Sequence, residues 1–243
     1  MRFKLVIEYD GTEYHGWQVQ PNGRTIQGEL EQALHRMRGE TTRVVAAGRT
    51  DAGVHAAGQV VSFTLERSIA PDTLAAALNA LTPRDLSIRS AEVVADEFDP
   101  RRGAVSRVYL YRIWNASWAS PFWRRYACHV RCRLNMEAMR AAAATLIGEH
   151  DFTSFRAAGC DAAHARRQVL RSRLDIDGSL VVYTIEANAF LRCMVRNIVG
   201  TLLEVGRGTR NSADVGEILA ARDRTCAGPT APPHGLCLAE VKY

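Results

Sequence analysis

The chain has 243 residues, 47% of them hydrophobic and 23% charged, with a formal net charge of +5. That length suits one large domain or two small ones, and that apolar content excludes a disordered chain. No apolar run approaches the roughly 20 residues that a bilayer-spanning helix needs, and the N-terminal run Met1-Arg-Phe-Lys-Leu-Val-Ile passes straight into acidic and polar residues, unlike a signal peptide. A cytoplasmic protein without a membrane association is expected.

In chain order, residues 3–9 alternate as a strand and Asp10-Gly11 reads as a turn. Residues 26–38 place Ile26, Leu30, Ala33, Leu34 and Met37 on one helical face, with Thr25 as N-cap. Short strands follow at 43–47 and 58–66. Pro71 opens a helix that runs to about Leu81, where Pro83 forbids its continuation. Residues 86–94 alternate again. The order β-α-β-β-α-β is the split, ferredoxin-like unit.

The second half predicts the same order. A strand at 104–114 precedes a helix at 136–147, and a hairpin of 168–176 and 180–188 turns at Asp177-Gly178. A strongly apolar helix covers 190–205, a further helix lies near 212–221, and a closing strand covers 236–242. The expected fold class is therefore α+β, with two ferredoxin-like (βαββαβ) halves. Their sheets are mostly antiparallel and flanked by helices, and a cleft lies between them. The expected domains are 1–103 and 104–243, with Pro100-Arg-Arg-Gly at the junction.

Charge divides unevenly. Residues 1–103 hold 12 basic and 14 acidic groups, a net of −2, whereas 104–243 hold 19 and 12, a net of +7. No acid occurs between Pro100 and Met136, a stretch that carries eight Arg and seven aromatic residues. Guanidinium groups neutralise phosphates and flat rings stack unpaired bases, so this stretch points to RNA. Six scattered Cys read as reduced thiols. Cys128-His129-x-x-Cys132 has the look of half a zinc site, but no second ligand pair follows it, so no metal is expected.

The most informative segment is 48–56, Gly-Arg-Thr-Asp-Ala-Gly-Val-His-Ala. Small neighbours leave the Asp51 carboxylate approachable, and Arg49 could hold it ionised for nucleophilic attack or proton abstraction. The same residues also fit a plain turn, closed by Asp51 with Gly53 at positive φ. The connector 49–57 is long for a tight hairpin, and long connectors on a rigid sheet tend to carry function.

Seven blocks in order resemble one family from end to end. They are Tyr9-Asp-Gly-Thr-Glu-Tyr-His-Gly-Trp-Gln-Val-Gln-Pro with Thr25-Ile-Gln, Gly48-Arg-Thr-Asp-Ala-Gly-Val-His, and Ala77-Leu-Asn-Ala-Leu. Ser106-Arg-Val-Tyr-Leu-Tyr-Arg-Ile and His150-Asp-Phe-Thr-Ser-Phe-Arg come next. The last two are the run from Ala187 to Gly206 and Ala227-Gly-Pro-Thr-Ala-Pro-Pro-His-Gly-Leu. This pattern is similar to the tRNA pseudouridine synthase A family. The resemblance implies an isomerase that converts uridine to pseudouridine at positions 38, 39 and 40 in the anticodon stem-loop of tRNA. It further implies a homodimer that needs neither cofactor nor metal.

By the same resemblance Asp51 is the essential carboxylate, Tyr109 the ring that packs on the target base, and Arg196 the partner of the catalytic Asp. Arg49 fills the space left by a flipped nucleotide, a step required because a stacked base is out of reach. Arg49, Tyr109, Arg107, Trp17 and Gln18 are the RNA-binding candidates. His55 lies inside the signature without an assigned chemical role. The chain departs from the family's Phe-His-Ala-Arg pattern at Phe98-Asp99-Pro100-Arg101. Two other readings compete. One is a non-catalytic module of the same fold that grips structured RNA, which leaves 48–56 unexplained. The other is a metal-dependent hydrolase built on Asp10, Asp51 and His55.

Overall fold

The computed structural model describes residues 1–160 and 162–243. The fold is α+β, and the chain forms two compact units: Met1–Val105 with Cys237–Tyr243, and Ser106–Leu236. Among the described residues no helix is long and apolar enough to cross a membrane.

In the first unit, β1 (Arg2–Tyr9) buries Phe3, Leu5, Ile7 and Tyr9 on alternate positions, as its sequence pattern dictates. It pairs antiparallel with β3 (His55–Thr64) on one side and β4 (Leu86–Val94) on the other. The short β2 (Val45–Ala46) lies on the far edge of β3. Helix α1 (Ile26–Arg38) starts where the Thr25 hydroxyl accepts from the Gly28 N–H (3.2 Å) and ends at Gly39, which takes φ 72°. It buries Ile26, Leu30 and Leu34. Helix α2 (Pro71–Leu81) stops just before Pro83. It is pinned to β4 by Asn79, which accepts from the Ile88 N–H (2.7 Å) and donates to the Ile88 carbonyl (2.9 Å).

The strand at the C-terminal end, which the sequence reading gave to the second half, joins the first unit instead. It pairs in parallel with β3, Cys237 opposite His55 and Leu238 opposite Ala56. Gly58 makes this approach possible, because a Cβ there would stand 2.4 Å from the Ala239 carbonyl oxygen. Tyr243 then packs its ring on Phe98 (5.2 Å) and donates to the Pro100 carbonyl (2.8 Å). Asp99, at the departure from the family pattern, caps this corner by accepting from the N–H groups of Arg101 (2.8 Å) and Arg102 (2.9 Å).

In the second unit, β5 (Ser106–Asn115) pairs with β9 (Leu180–Ala187), β9 with β8 (Arg166–Asp177), and β8 with β7 (Gly148–Asp151), all antiparallel. The short β6 (Cys128–Val130) runs parallel to β5. The β8–β9 hairpin turns at Gly178, φ 56°. Helix α3 (Met136–Ala144) is shorter than its apolar period suggests, because Gly148, at φ 111°, turns the chain into β7. Helix α4 (Met194–Gly206) is buried on nearly every side, so it is a core helix rather than an amphipathic one. Helix α5 (Asp214–Ala221) follows. The remaining strand, Leu236–Lys242, is β10.

Candidate active site

Residues 48–54 lead from β2 into β3 and carry a half-buried Asp51. Their shape is set by main-chain bonds. The Trp17 N–H donates to the Thr50 carbonyl (3.0 Å), the Gly53 N–H to the Tyr14 carbonyl (3.2 Å) and the Val54 N–H to the Asp51 carbonyl (3.1 Å). Gly53 takes φ 75°, so the turn reading of this segment holds at that residue. Two buried side chains add to the clamp. The Tyr9 hydroxyl is 2.8 Å from Thr50 Oγ1, and Gln59 donates through Nε2 to the Gly48 carbonyl (2.7 Å).

Segment 10–17 can press against this loop only because two of its residues are Gly. A Cβ on Gly11 would lie 2.0 Å from the Val54 carbonyl oxygen, and one on Gly16 (φ 91°) 2.7 Å from that of Thr50. The segment is itself anchored through Tyr14, whose hydroxyl donates to Asp85 (2.6 Å). Arg24 grips the same carboxylate with two bonds (2.8 and 3.1 Å), bonds Glu29 (2.7 Å), and lies 4.3 Å from the Tyr14 ring centre. Burial works against an ionised Asp85. The bonds from Arg24 and Tyr14 outweigh it and hold the carboxyl below its ordinary value.

His55 is buried at the start of β3, and its Nδ1 accepts from the Gly11 N–H (3.0 Å). Asp10 Oδ1 lies 3.2 Å from the same nitrogen, a distance that would be an ion pair only if Nδ1 carried a proton. The Gly11 N–H already points at that nitrogen. Asp10 Oδ1 takes both the N–H (3.0 Å) and the hydroxyl (2.5 Å) of Thr12. His55 is thus a brace for the turn at Gly11. Among the described residues no three His, Cys, Asp or Glu side chains gather as metal ligands.

The other residues expected at the site fall in both units. In the first, Trp17 is buried and contributes its N–H to the clamp, whereas Gln18 and Arg49 are exposed. In the second, Tyr109 sits on β5 opposite Ile185, with the Phe190 ring edge-on at 5.0 Å. Arg107, on the same strand, donates to the Asn188 carbonyl (2.8 Å).

Arg196 differs in setting from the expected mid-helix position. Cys193 takes φ 57°, which breaks the helical run, so α4 begins at Met194 and Arg196 lies in its first turn. Arg192 falls outside the helix and bonds the Ala158 carbonyl (3.2 Å). A cation gains nothing from the positive end of a helix, so this placement suits an Arg held for an anion. Its Nε donates to the Ala231 carbonyl (2.8 Å), and the Ala231 N–H donates to the Arg196 carbonyl (3.0 Å).

Sequence reading missed the supporting set: Tyr9, Gly11, Tyr14, Gly16, Arg24 and Asp85. The only signal for them was the density of Gly and aromatic residues in 9–17 beside a lone acid far along the chain.

Comparison with known proteins shows the family. A family model described as tRNA pseudouridine synthase matches residues 5–101 and 142–243. The chain belongs to that family. It is similar to the tRNA pseudouridine synthase A of Myxococcus xanthus, with 49% identity covering 100% of this chain and 92% of the relative. The proteins of that name from Geotalea uraniireducens (strain Rf4) and Geobacter sulfurreducens are 46% and 47% identical, covering 99% and 98% of the relatives and at least 99% of this chain. These full-length matches also span 102–141, the stretch outside the family model that holds Arg107 and Tyr109.

Proposed function

We propose that this protein isomerises uridine to pseudouridine at positions 38, 39 and 40 of the tRNA anticodon stem-loop, working as a cytoplasmic homodimer without a cofactor. The observation that carries the reading is the half-buried Asp51 on a loop fixed by main chain, inside a chain 49% identical along its length to a tRNA pseudouridine synthase A. The two units are read as ferredoxin-like.

In this reading Asp51 serves as nucleophile or as general base. The N1–C1′ bond of the nucleotide breaks, the uracil turns, C5 bonds to C1′, the C5 proton passes to a base and N1 takes up a proton, so atoms and charge balance without any co-reactant. Tyr109, held edge-on by Phe190, offers a fixed ring on which a flipped base can stack. Arg196 pairs with the carboxylate and holds it in place. Arg49 enters the gap in the stack. Gln18 and Arg107 contact RNA from the surface, and Trp17 acts from beneath, through the loop it braces.

The test is tritium release from tRNA transcripts labelled at uridine C5. Wild type should release label and Asp51→Asn should release none while still melting cooperatively and binding tRNA. Bound substrate with no release from wild type would instead favour an RNA-binding module without chemistry. Near-normal release from Asp51→Asn would overturn its assigned role.

A further inference from the structure

Next to Arg196 on α4 stands Asn197, fully buried in a helix whose other buried positions are apolar or small, apart from Thr201. A buried amide is costly unless its atoms are bonded, and this one is. Nδ2 donates to the Phe155 carbonyl (2.8 Å), and Oδ1 accepts from Thr230 Oγ1 (2.6 Å) and Arg224 Nη2 (3.1 Å). Arg224 bonds onward to Thr230 Oγ1 (3.2 Å) and to the Ala227 carbonyl (3.3 Å). One side chain therefore grips both ends of segment 224–230.

That segment leads directly to Ala231, the residue bonded to Arg196 through both its N–H and its carbonyl. A second anchor lies one turn along α4. The Gly228 N–H donates to Thr201 Oγ1 (2.9 Å), which donates to the Asn197 carbonyl (2.9 Å). Gly200 lets the segment lie against the helix, since a Cβ there would stand 1.6 Å from the Pro229 carbonyl oxygen.

A guanidinium is planar, so a bond at Nε fixes the rotation that decides where its two terminal nitrogens point. We propose that Asn197 is a positioning residue for Arg196, acting through Thr230, Arg224 and the Ala231 carbonyl to aim the guanidinium at the catalytic carboxylate. This rests on the reading of Arg196 as the partner of Asp51. The network explains why a polar amide occupies the centre of an apolar helix. An apolar residue would fill the space without ordering the segment that holds Arg196.

Asn197 is too buried for a clean first test, but Thr230 is exposed and can be changed without opening the core. Thr230→Val removes the hydroxyl and keeps the shape. Steady-state kinetics on C5-tritiated tRNA transcripts should show kcat lowered about 10- to 100-fold, in line with small misplacements of catalytic groups. KM should stay within about 3-fold, the melting temperature should fall by no more than about 2–4 °C, the cost of roughly one hydrogen bond, and Thr230→Ser should restore kcat. In an Arg196→Ala background Thr230→Val should cost no further kcat, because effects routed through one group do not add.

Unchanged kcat in Thr230→Val, or an equal further loss on top of Arg196→Ala, would overturn the proposal. Full activity of Arg196→Ala alone would overturn it by another route, removing the role of Arg196 on which it stands. Absence of label release from wild type would strike the proposed reaction itself.

Discussion

Around Asp51 the fixing is done mainly by backbone, with Tyr9 and Gln59 adding one side-chain bond each. Three main-chain bonds hold the loop, and Gly11 and Gly16 bring a second stretch of main chain against it. Around Arg196 the fixing is done by polar side chains: buried Asn197 and Thr201, with half-buried Arg224, hold the segment whose carbonyl takes the Arg196 Nε. The difference has a physical basis. A carboxylate on a short side chain is placed once its main chain is placed. An Arg has several rotatable bonds and loses up to about 2 kcal/mol of rotamer entropy when fixed, so its head group needs a partner of its own. The first clamp should therefore be sensitive to added volume, and the second to lost polar atoms.

Both regions rely on a glycine that lets main chain approach main chain, which gives the largest expected effects. Gly11→Ala puts a Cβ 2.0 Å from the Val54 carbonyl oxygen, and Gly200→Ala puts one 1.6 Å from that of Pro229. In both cases the obstacle is main chain and cannot rotate away. Overpacking usually costs about 1–3 kcal/mol and more where backbone must move, so each variant should lose at least about 3 kcal/mol. For a chain of this size that is a fall in Tm of roughly 6–12 °C, measured by thermal denaturation. Gly200→Ala is the sharper case, because Ala in a helix interior is otherwise worth about 1 kcal/mol over Gly. An unchanged Tm in either variant would mean that the segments do not lie against each other as closely as drawn.

These glycines also show where sequence reading stops. Patterning placed α1 and α2 at their observed limits, because Thr25, Pro71 and Pro83 are local signals that act on their own chain. It overran the start of α4, since apolar period alone does not reveal the left-handed backbone at Cys193. It placed β10 after the second half, whereas its parallel pairing with β3 depends on a residue far away in sequence, Gly58. The site divides the same way. Asp51 stood out by its neighbours in sequence. The Tyr14–Asp85–Arg24 anchor and the Asn197 network join residues whose separation hides them.

A smaller effect should separate the clamps by pH. The folded-state pKa of Asp85 is depressed, so the stability it contributes is present above the unfolded value, about 3.9, and is lost as pH falls through the folded one. Wild type should lose stability across that acid range, read as the urea midpoint against pH. Asp85→Asn should lower the midpoint near neutrality and flatten its acid decline. A decline of equal steepness in the variant would mean that other carboxylates carry it. In the second unit Thr230→Val should leave the acid decline unaltered, because no carboxylate takes part in the bonds it removes.

Smaller again is the removal of the buried Tyr9 hydroxyl, 2.8 Å from Thr50 Oγ1 beside Asp51. Tyr9→Phe should cost about 1 kcal/mol, the usual net worth of one such bond, with little loss of kcat because the main-chain bonds to residues 50, 51 and 53 remain. A large fall in kcat at that small cost in stability would show that the Asp51 loop, too, depends on a side chain, and the contrast between the regions would collapse.

The smallest effect has the opposite sign and controls for the first. Gly216 lies inside α5, where a Cβ would meet nothing within 4 Å. Gly216→Ala should raise stability by about 0.5–1 kcal/mol through helix propensity alone. The same substitution in two helices of the same unit would then differ in sign solely because Pro229 lies over one of them and open space over the other. If Gly216→Ala proved as damaging as Gly200→Ala, close approach could not be the reason glycine is needed on α4, and the account of how segment 224–231 reaches Arg196 would fail with it.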